Sequence, residues 1–200
     1  GLRPLVLPDI GDSLDGHLID QDSTPLTLGG TSRGEVATLG EAAATLVIGR
    51  SLNRAADLLK SRTGVPDFRF DHLLGLDACD AFTLVLTELS GQPVTAGIER
   101  QRAQLQDAMV DTHFMTGFLR VGIAADPDLL VALGQFLHGV GAEVVAAVAS
   151  SRAEILADLP AATVRIGDLE DLERQALAHR AQLIVSNSHA AASAERLQIP

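Results

Sequence analysis

Short apolar, β-branched runs alternate along the chain with stretches whose apolar positions fall three or four residues apart. The first pattern suits strands and the second amphipathic helices. Strands are read at 44–48, 120–124, 143–148, 163–166 and 182–186, another at 4–7, and a weaker one at 68–70. Most are apolar throughout, as strands covered on both faces should be. Between them the spacing predicts helices. One over 52–63 is capped by Ser51 and ended by Gly64 and Pro66. One over 76–90 carries Leu76, Cys79, Phe82, Val85, Leu86 and Leu89 and is stopped by Gly91 and Pro93. A long one over 96–115 has an apolar stripe of Ile98, Leu105, Ala108, Met109 and Thr112. Asp126 and Pro127 suit the cap and first turn of a helix over 129–140. Asp168-Leu169-Glu170-Asp171 opens another, closed by His179 and Arg180, so both charge biases suit its dipole.

The alternation signals stacked βα units, an α/β chain with mainly parallel sheets. The boundary is placed at Gly91–Val94, between the two long helices. Residues 1–92 then form the end of one α/β unit, and 93–200 a linking helix with most of a second. Both ends of the sequence read as cuts through a fold.

Composition narrows the function classes. Twenty-six acidic residues against fifteen basic ones leave a net charge of −11. Such a field repels nucleic-acid phosphates and anionic membranes. No Trp or Tyr is present, so stacking platforms for single-stranded nucleic acid are lacking. Neither nucleic acid nor a membrane is expected as a partner. The single cysteine, Cys79, excludes an intrachain disulfide and fits a reducing cytosol.

No constellation of catalytic type emerges. Gly139-Val140-Gly141 follows a helix and precedes a strand, the reverse of a dinucleotide fingerprint, and is read as a helix stop. The helix start at Asp126 also carries Asp128, and two carboxylates cancel the attraction for a phosphate. Gly29-Gly30-Thr31-Ser32 lacks a P-loop lysine and reads as a tight turn followed by a cap. Histidines at 17, 72, 113, 138, 179 and 189 form no ligand pair with one another or with Cys79. Asp107 and Asp111 share one face of the long helix and read as a solvated or subunit-facing surface. Cys79 reads as a small core residue. Ser186-Asn187-Ser188-His189 closes a strand, where open α/β sheets place sites, though its polar groups can also cap the next helix. No catalytic, cofactor-binding or metal-ligating residue is assigned.

Pro4-Leu5-Val6-Leu7-Pro8-Asp9 with Ser13-Leu14-Asp15-Gly16-His17, and Leu28-Gly29-Gly30-Thr31-Ser32, resemble the "LPD…LDG" pattern and the "GGT" turn of the nitrogenase component 1 family. The 102–113 segment resembles the long helix before the last domain. Asp126-Pro127-Asp128-Leu129 with Gly141-Ala142-Glu143-Val144 resembles that domain's first βαβ turn, and Ser186-Asn187-Ser188-His189 its "GNS" segment. The matches run in family order along nearly the whole chain. Within the family, 104–113, 167–176 and the "NSHAA" run look most like the N subunit of the cofactor-assembly scaffold.

The resemblance implies stacked αβα, Rossmann-like domains, three to a subunit, and a non-enzymatic scaffold role in the cytoplasm. It implies a heterotetramer with an E subunit, maturing a precursor of the iron–molybdenum cofactor. The precursor would come from the cofactor-forming radical enzyme, and the nitrogenase iron protein would dock. The full complex would carry iron–sulfur clusters and the cofactor precursor, held by cysteines that no position here matches. The chain itself is expected to bind none. Two alternatives are a catalytic β subunit, of nitrogenase or of a related dark-operative chlorophyll-pathway reductase, and a stand-alone nucleotide-binding module.

Overall fold

The computed structural model describes residues 1–8 and 30–200. The chain divides into two compact units. The first comprises Gly1–Thr45 and Arg54–Phe68; the second comprises Leu46–Asn53 and Arg69–Pro200. Gly91–Val94, expected as a boundary, lies within the second unit as the link between two helices.

In the first unit, helix α1 (Arg33–Ala37) starts at a capping box. Ser32 Oγ accepts from the Glu35 N–H at 3.1 Å, and Glu35 Oε2 accepts from the Ser32 N–H at 3.0 Å. The predicted turn-then-cap at Thr31-Ser32 is therefore present. Helix α2 (Asn53–Thr63) also belongs to the first unit apart from its first residue, whereas strands β1 (Thr45–Ile48) and β2 (Asp67–Phe70), which pair with each other, are each divided between the two units. Helix α2 ends where Gly64, at φ 73°, donates to the Lys60 carbonyl. Its start differs from expectation. A 3₁₀ turn over Arg50–Leu52 precedes it, and Ser51 spends its N–H on Asp128 Oδ2 at 3.0 Å instead of opening the helix. Residues 4–7 form no strand. Pro4 and Pro8 lack the N–H groups that a short ladder needs. Asp9, the 13–17 run, His17, Leu28 and Gly29 lie outside the described residues.

The second unit holds helices α3 (Leu76–Ser90), α4 (Ala96–Thr116), α5 (Pro127–Gly139), α6 (Leu169–Ala178) and α7 (Ala190–Leu197). Its sheet contains β3 (Arg120–Ala125), β4 (Glu143–Ala149), β5 (Arg165–Ile166) and β6 (Leu183–Val185) in the order β5-β4-β3-β6. Every described pairing in it is parallel. All four segments predicted for one sheet are therefore in it, with β5 reduced to two exposed edge residues.

Alternation along β3 explains the layering. Val121 and Ile123 join Leu130, Val131, Ala147, Ala149, Ile155 and Leu159 on one face, beneath α5 and the 3₁₀ turn Glu154–Asp158. Ala124, Ala146, Val148 and Leu172 pack on the other, beneath α6. Small residues let α6 approach closely. A Cβ at Gly122 would already sit 3.4 Å from Leu172 Cδ1 and 3.6 Å from Ala146 Cβ.

Capping follows the sequence closely. Asp126 Oδ1 accepts from the Leu129 N–H at 3.2 Å, with Pro127 in the first turn of α5. Asp168 Oδ1 accepts from the N–H groups of Glu170 and Asp171, while Asp171 Oδ2 accepts from the Asp168 N–H in return. Gly139-Val140-Gly141 ends α5, as predicted.

Two burial expectations fail. Cys79 is exposed, its thiol donating to the Leu73 carbonyl at 3.2 Å in the first turn of α3, whose described residues include no fully buried one. The stripe of α4 is likewise uncovered, with Ile98 and Leu105 both over 40% exposed and no buried residue on the helix. A polar contact, Arg102 to Asp80 at 2.7 Å, joins α3 to α4.

Candidate functional site

Chain direction in the second unit reverses at β3. The path runs β3, β4, β5 outward on one side and then returns to place β6 on the other. Such a switch point opens a crevice outside the carboxyl ends of the strands, the usual ligand position in open α/β sheets. Here the crevice lies between Ala124-Ala125-Asp126 and Ser186-Asn187-Ser188-His189.

Most of the crevice's polar groups are committed to the fold. Ser186 Oγ donates to the Ala124 carbonyl at 2.8 Å, tying the two strand ends together. Asn187 Oδ1 accepts from the His189 N–H at 3.0 Å, and the Asn187 carbonyl from the Ala190 N–H, which starts α7. The motif thus does the local capping work its residue types allow, while the His189 side chain is exposed and makes no cap. Asp126 caps α5, and Asp128 accepts from Ser51. A phosphate would meet both carboxylates.

The loop that meets Asp128 is clamped. At Gly49, φ is 101°, a conformation that favours glycine, and a Cβ there would lie 2.8 Å from Asp128 Oδ2 and push that carboxylate aside. Arg50 donates to Asp71 through Nε at 3.0 Å and a terminal nitrogen at 2.8 Å, and pairs with Asp158 at 2.7 Å. Alongside, the Leu74 N–H donates to His72 Nδ1 at 3.2 Å. The ring proton is therefore assigned to Nε2, donating to Gln135 Oε1 at 2.8 Å. Sequence inspection missed this clamp, because its pairs, Arg50 with Asp71 and Arg50 with Asp158, join residues 21 and 108 positions apart that no local pattern links.

Four described carboxylates are held low by a hydrogen-bonded partner. Side-chain hydrogen bonds from Arg102, Arg174 and Arg196 lower Asp80, Asp171 and Glu173 respectively, and the Ser32 backbone N–H lowers Glu35. A general acid at neutral pH needs the opposite shift. These groups are braces. Asp171 is the most enclosed, taking Arg174 at 2.5 Å and Arg165 at 2.7 Å over Gly167, where a Cβ would lie 2.8 Å from its Cγ.

At the opposite edge of the sheet, Arg120, Ala178, His179, Arg180 and Gln182 line an open cleft of about 570 Å³. Its central cation is already used. Arg120 donates to the His179 carbonyl at the end of α6 and pairs with Glu143 at 3.3 Å.

The described residues do not fit a metallocluster. Among the described residues no group of three or more His, Cys, Asp or Glu side chains is arranged to hold a metal ion. Cys79 stands alone, whereas an iron–sulfur cluster generally takes about four protein ligands. His113 and His138 are exposed on α4 and α5, and His179 and His189 are exposed just after α6 and just before α7. Among the described residues no helix is long and apolar enough to cross a membrane.

Comparison with known proteins places this arrangement. The family model for nitrogenase component 1 type oxidoreductases matches residues 9–200. The chain is 43% identical, over its whole length, to the nitrogenase iron-molybdenum cofactor biosynthesis protein NifN of Bradyrhizobium diazoefficiens, covering 42% of that protein. It is 45% identical to the protein of the same description from Rhodobacter capsulatus and 42% to that from Klebsiella pneumoniae, covering 44% and 43% of them. The chain thus spans less than half the length of these curated relatives. The solved structure "Nitrogenase Cp1 at pH 6.5" superposes with a TM-score of 0.82 at 26% identity, over 94% of this chain and 44% of that one. The α/β architecture with parallel strands is that of the component 1 fold. A family match over nearly the whole length, in a chain whose layered sheet agrees with it, is decisive: this chain belongs to the nitrogenase component 1 type oxidoreductase family.

Proposed function

We propose that the chain works as part of the N subunit of the scaffold on which the iron–molybdenum cofactor precursor is matured before transfer to nitrogenase. One observation carries this reading. Identity to the cofactor biosynthesis proteins is 42–45% across the whole chain, against 26% to the nitrogenase component structure. A catalytic β subunit, the competing reading, draws its support from the close superposition on that structure. Shared fold alone does not assign function.

In this role the segment is not a catalyst. It supplies the end of one α/β domain and most of the next, together with the long helix α4. An E subunit pairs with it in a cytoplasmic heterotetramer; the radical enzyme delivers the precursor and the iron protein docks. Iron–sulfur clusters and the precursor are held elsewhere in the complex. Support for that division of labour comes from the lone exposed Cys79 and the absence of a ligand group among the described residues.

The test is a rescue. A nitrogen-fixing cell lacking the gene should contain inactive nitrogenase that regains acetylene reduction when isolated iron–molybdenum cofactor is added to the extract. An extract that stays inactive with added cofactor would instead identify a catalytic subunit.

A further inference from the structure

We propose that the open cleft at the amino edge of the second unit's sheet binds a small organic monocarboxylate, gripped by the guanidinium of Arg180. The inference goes beyond the scaffold reading and does not depend on it.

The cleft forms where α6 ends and the chain turns into β6. Ala178, His179, Arg180 and Gln182 come from this turn, and Arg120 from the first position of β3. Its volume of about 570 Å³ lies in the range that holds small organic molecules.

The polar groups of the cleft divide into two sets. Arg120 is committed, donating to the His179 carbonyl at 3.1 Å and pairing with Glu143 at 3.3 Å. Gln182 Oε1 accepts from the Arg120 N–H at 3.1 Å. That bond orients the side chain and leaves its amide N–H groups without an acceptor among the described residues. The side chains of His179 and Arg180 are exposed, and neither has a partner among the described residues. Three unengaged donor groups therefore line one opening.

Backbone conformation singles out Arg180. It takes φ 51°, at a helix end where glycine or asparagine is usual. The turn itself gains nothing from an arginine there. Outliers of this kind cluster at binding sites.

Charge decides the ligand. Glu143 offsets Arg120, so one unbalanced positive charge remains in the cleft, in a chain of net charge −11. A single carboxylate matches that charge and the planar fork of the guanidinium, with the Gln182 amide as a further donor. A phosphate dianion would leave one charge unmatched beside Glu143.

The native assembly, purified with full-length chains, supplies the test. Diethyl pyrocarbonate acylates exposed imidazoles, so it reads occupancy at His179, with the exposed His189 at the opposite edge of the sheet as control. Acetate at constant ionic strength should slow modification of His179 and leave His189 unchanged, both resolved by peptide mass spectrometry. Arg180→Gly should raise the acetate concentration needed by about tenfold or more. The same variant should melt no lower than the parent, since glycine suits this backbone. Gln182→Glu keeps the acceptor for the Arg120 N–H but adds a like charge, and should abolish the protection. Equal slowing at His179 and His189 would mark a general salt effect and overturn the proposal. So would full protection retained in Arg180→Gly, stronger protection by inorganic phosphate than by acetate, or a His179 already unreactive before any anion is added. None of these outcomes bears on the cofactor rescue, which tests the scaffold reading separately.

Discussion

Replacing Leu130 with alanine is expected to destabilise the folded chain by about 2–5 kcal/mol. The side chain is fully buried and fills the layer between α5 and the sheet, against Val121, Ile123 and Ile155. Truncation removes apolar area from the core and leaves a cavity that two packed layers can only partly close. A domain holds about 5–15 kcal/mol in total, so the loss is a large share. The neighbouring position is the control. Leu129 is 46% exposed, and Leu129→Ala should change stability by no more than about 0.5 kcal/mol. Urea unfolding followed by circular dichroism reads both. Equal effects at the two positions would contradict the layering described for α5.

Gly141→Val should be strongly destabilising. Its φ of 86° is a conformation β-branched residues avoid, a backbone cost of about 1–3 kcal/mol. Space is also short. A Cβ would lie 3.1 Å from His113 Cε1 and 3.3 Å from Gly117 Cα, the second of which is backbone and cannot rotate away. Gly141 also carries the carbonyl that holds Phe118, so the substitution should loosen the end of α4 as well as lower the melting temperature. Gly139→Val, two residues earlier, meets nothing within 4 Å and has no positive φ. It should melt within a few degrees of the parent. A Gly141→Val protein as stable as the parent would show that the α5–β4 turn does not brace α4.

These contrasts also show what the sequence reveals and what it hides. The sheet of the second unit was legible because β3 and β4 are apolar on both faces and α5 and α6 announce their starts. Asp126-Pro127 and Asp168-Leu169-Glu170-Asp171 are signals that act over three or four residues, the range at which capping physics operates. Residues 4–7 misled, because apolar character predicts a strand only where a partner can satisfy the backbone, and two prolines weaken that option. Ser51 misled for a related reason, since a nearby 3₁₀ turn and Asp128 competed for its backbone. Burial was the weakest reading. Helical spacing in α3 and α4 marks a face that another surface could cover, without saying which polypeptide supplies that surface. Cys79 consequently looked like a core residue, and Ile98 and Leu105 like part of a core-facing stripe, and all three stand exposed in the fold. The Arg50–Asp71–Asp158 clamp could not be foreseen, because it joins residues that only the folded chain brings together. For the carboxyl-edge crevice, sequence named the right segment, Ser186-Asn187-Ser188-His189. The structure then showed its amide and first hydroxyl engaged in strand and helix contacts.

The central claim is that this chain contributes a framed sheet and binding surfaces, while thiolates elsewhere in the complex hold the metal. Anaerobic incubation of the chain with ferrous iron and sulfide, desalting, and measurement of bound iron with the visible spectrum tests it directly. The account predicts that bound iron stays far below one cluster per chain and that Cys79→Ser changes nothing. A stoichiometric chromophore lost in Cys79→Ser would contradict it.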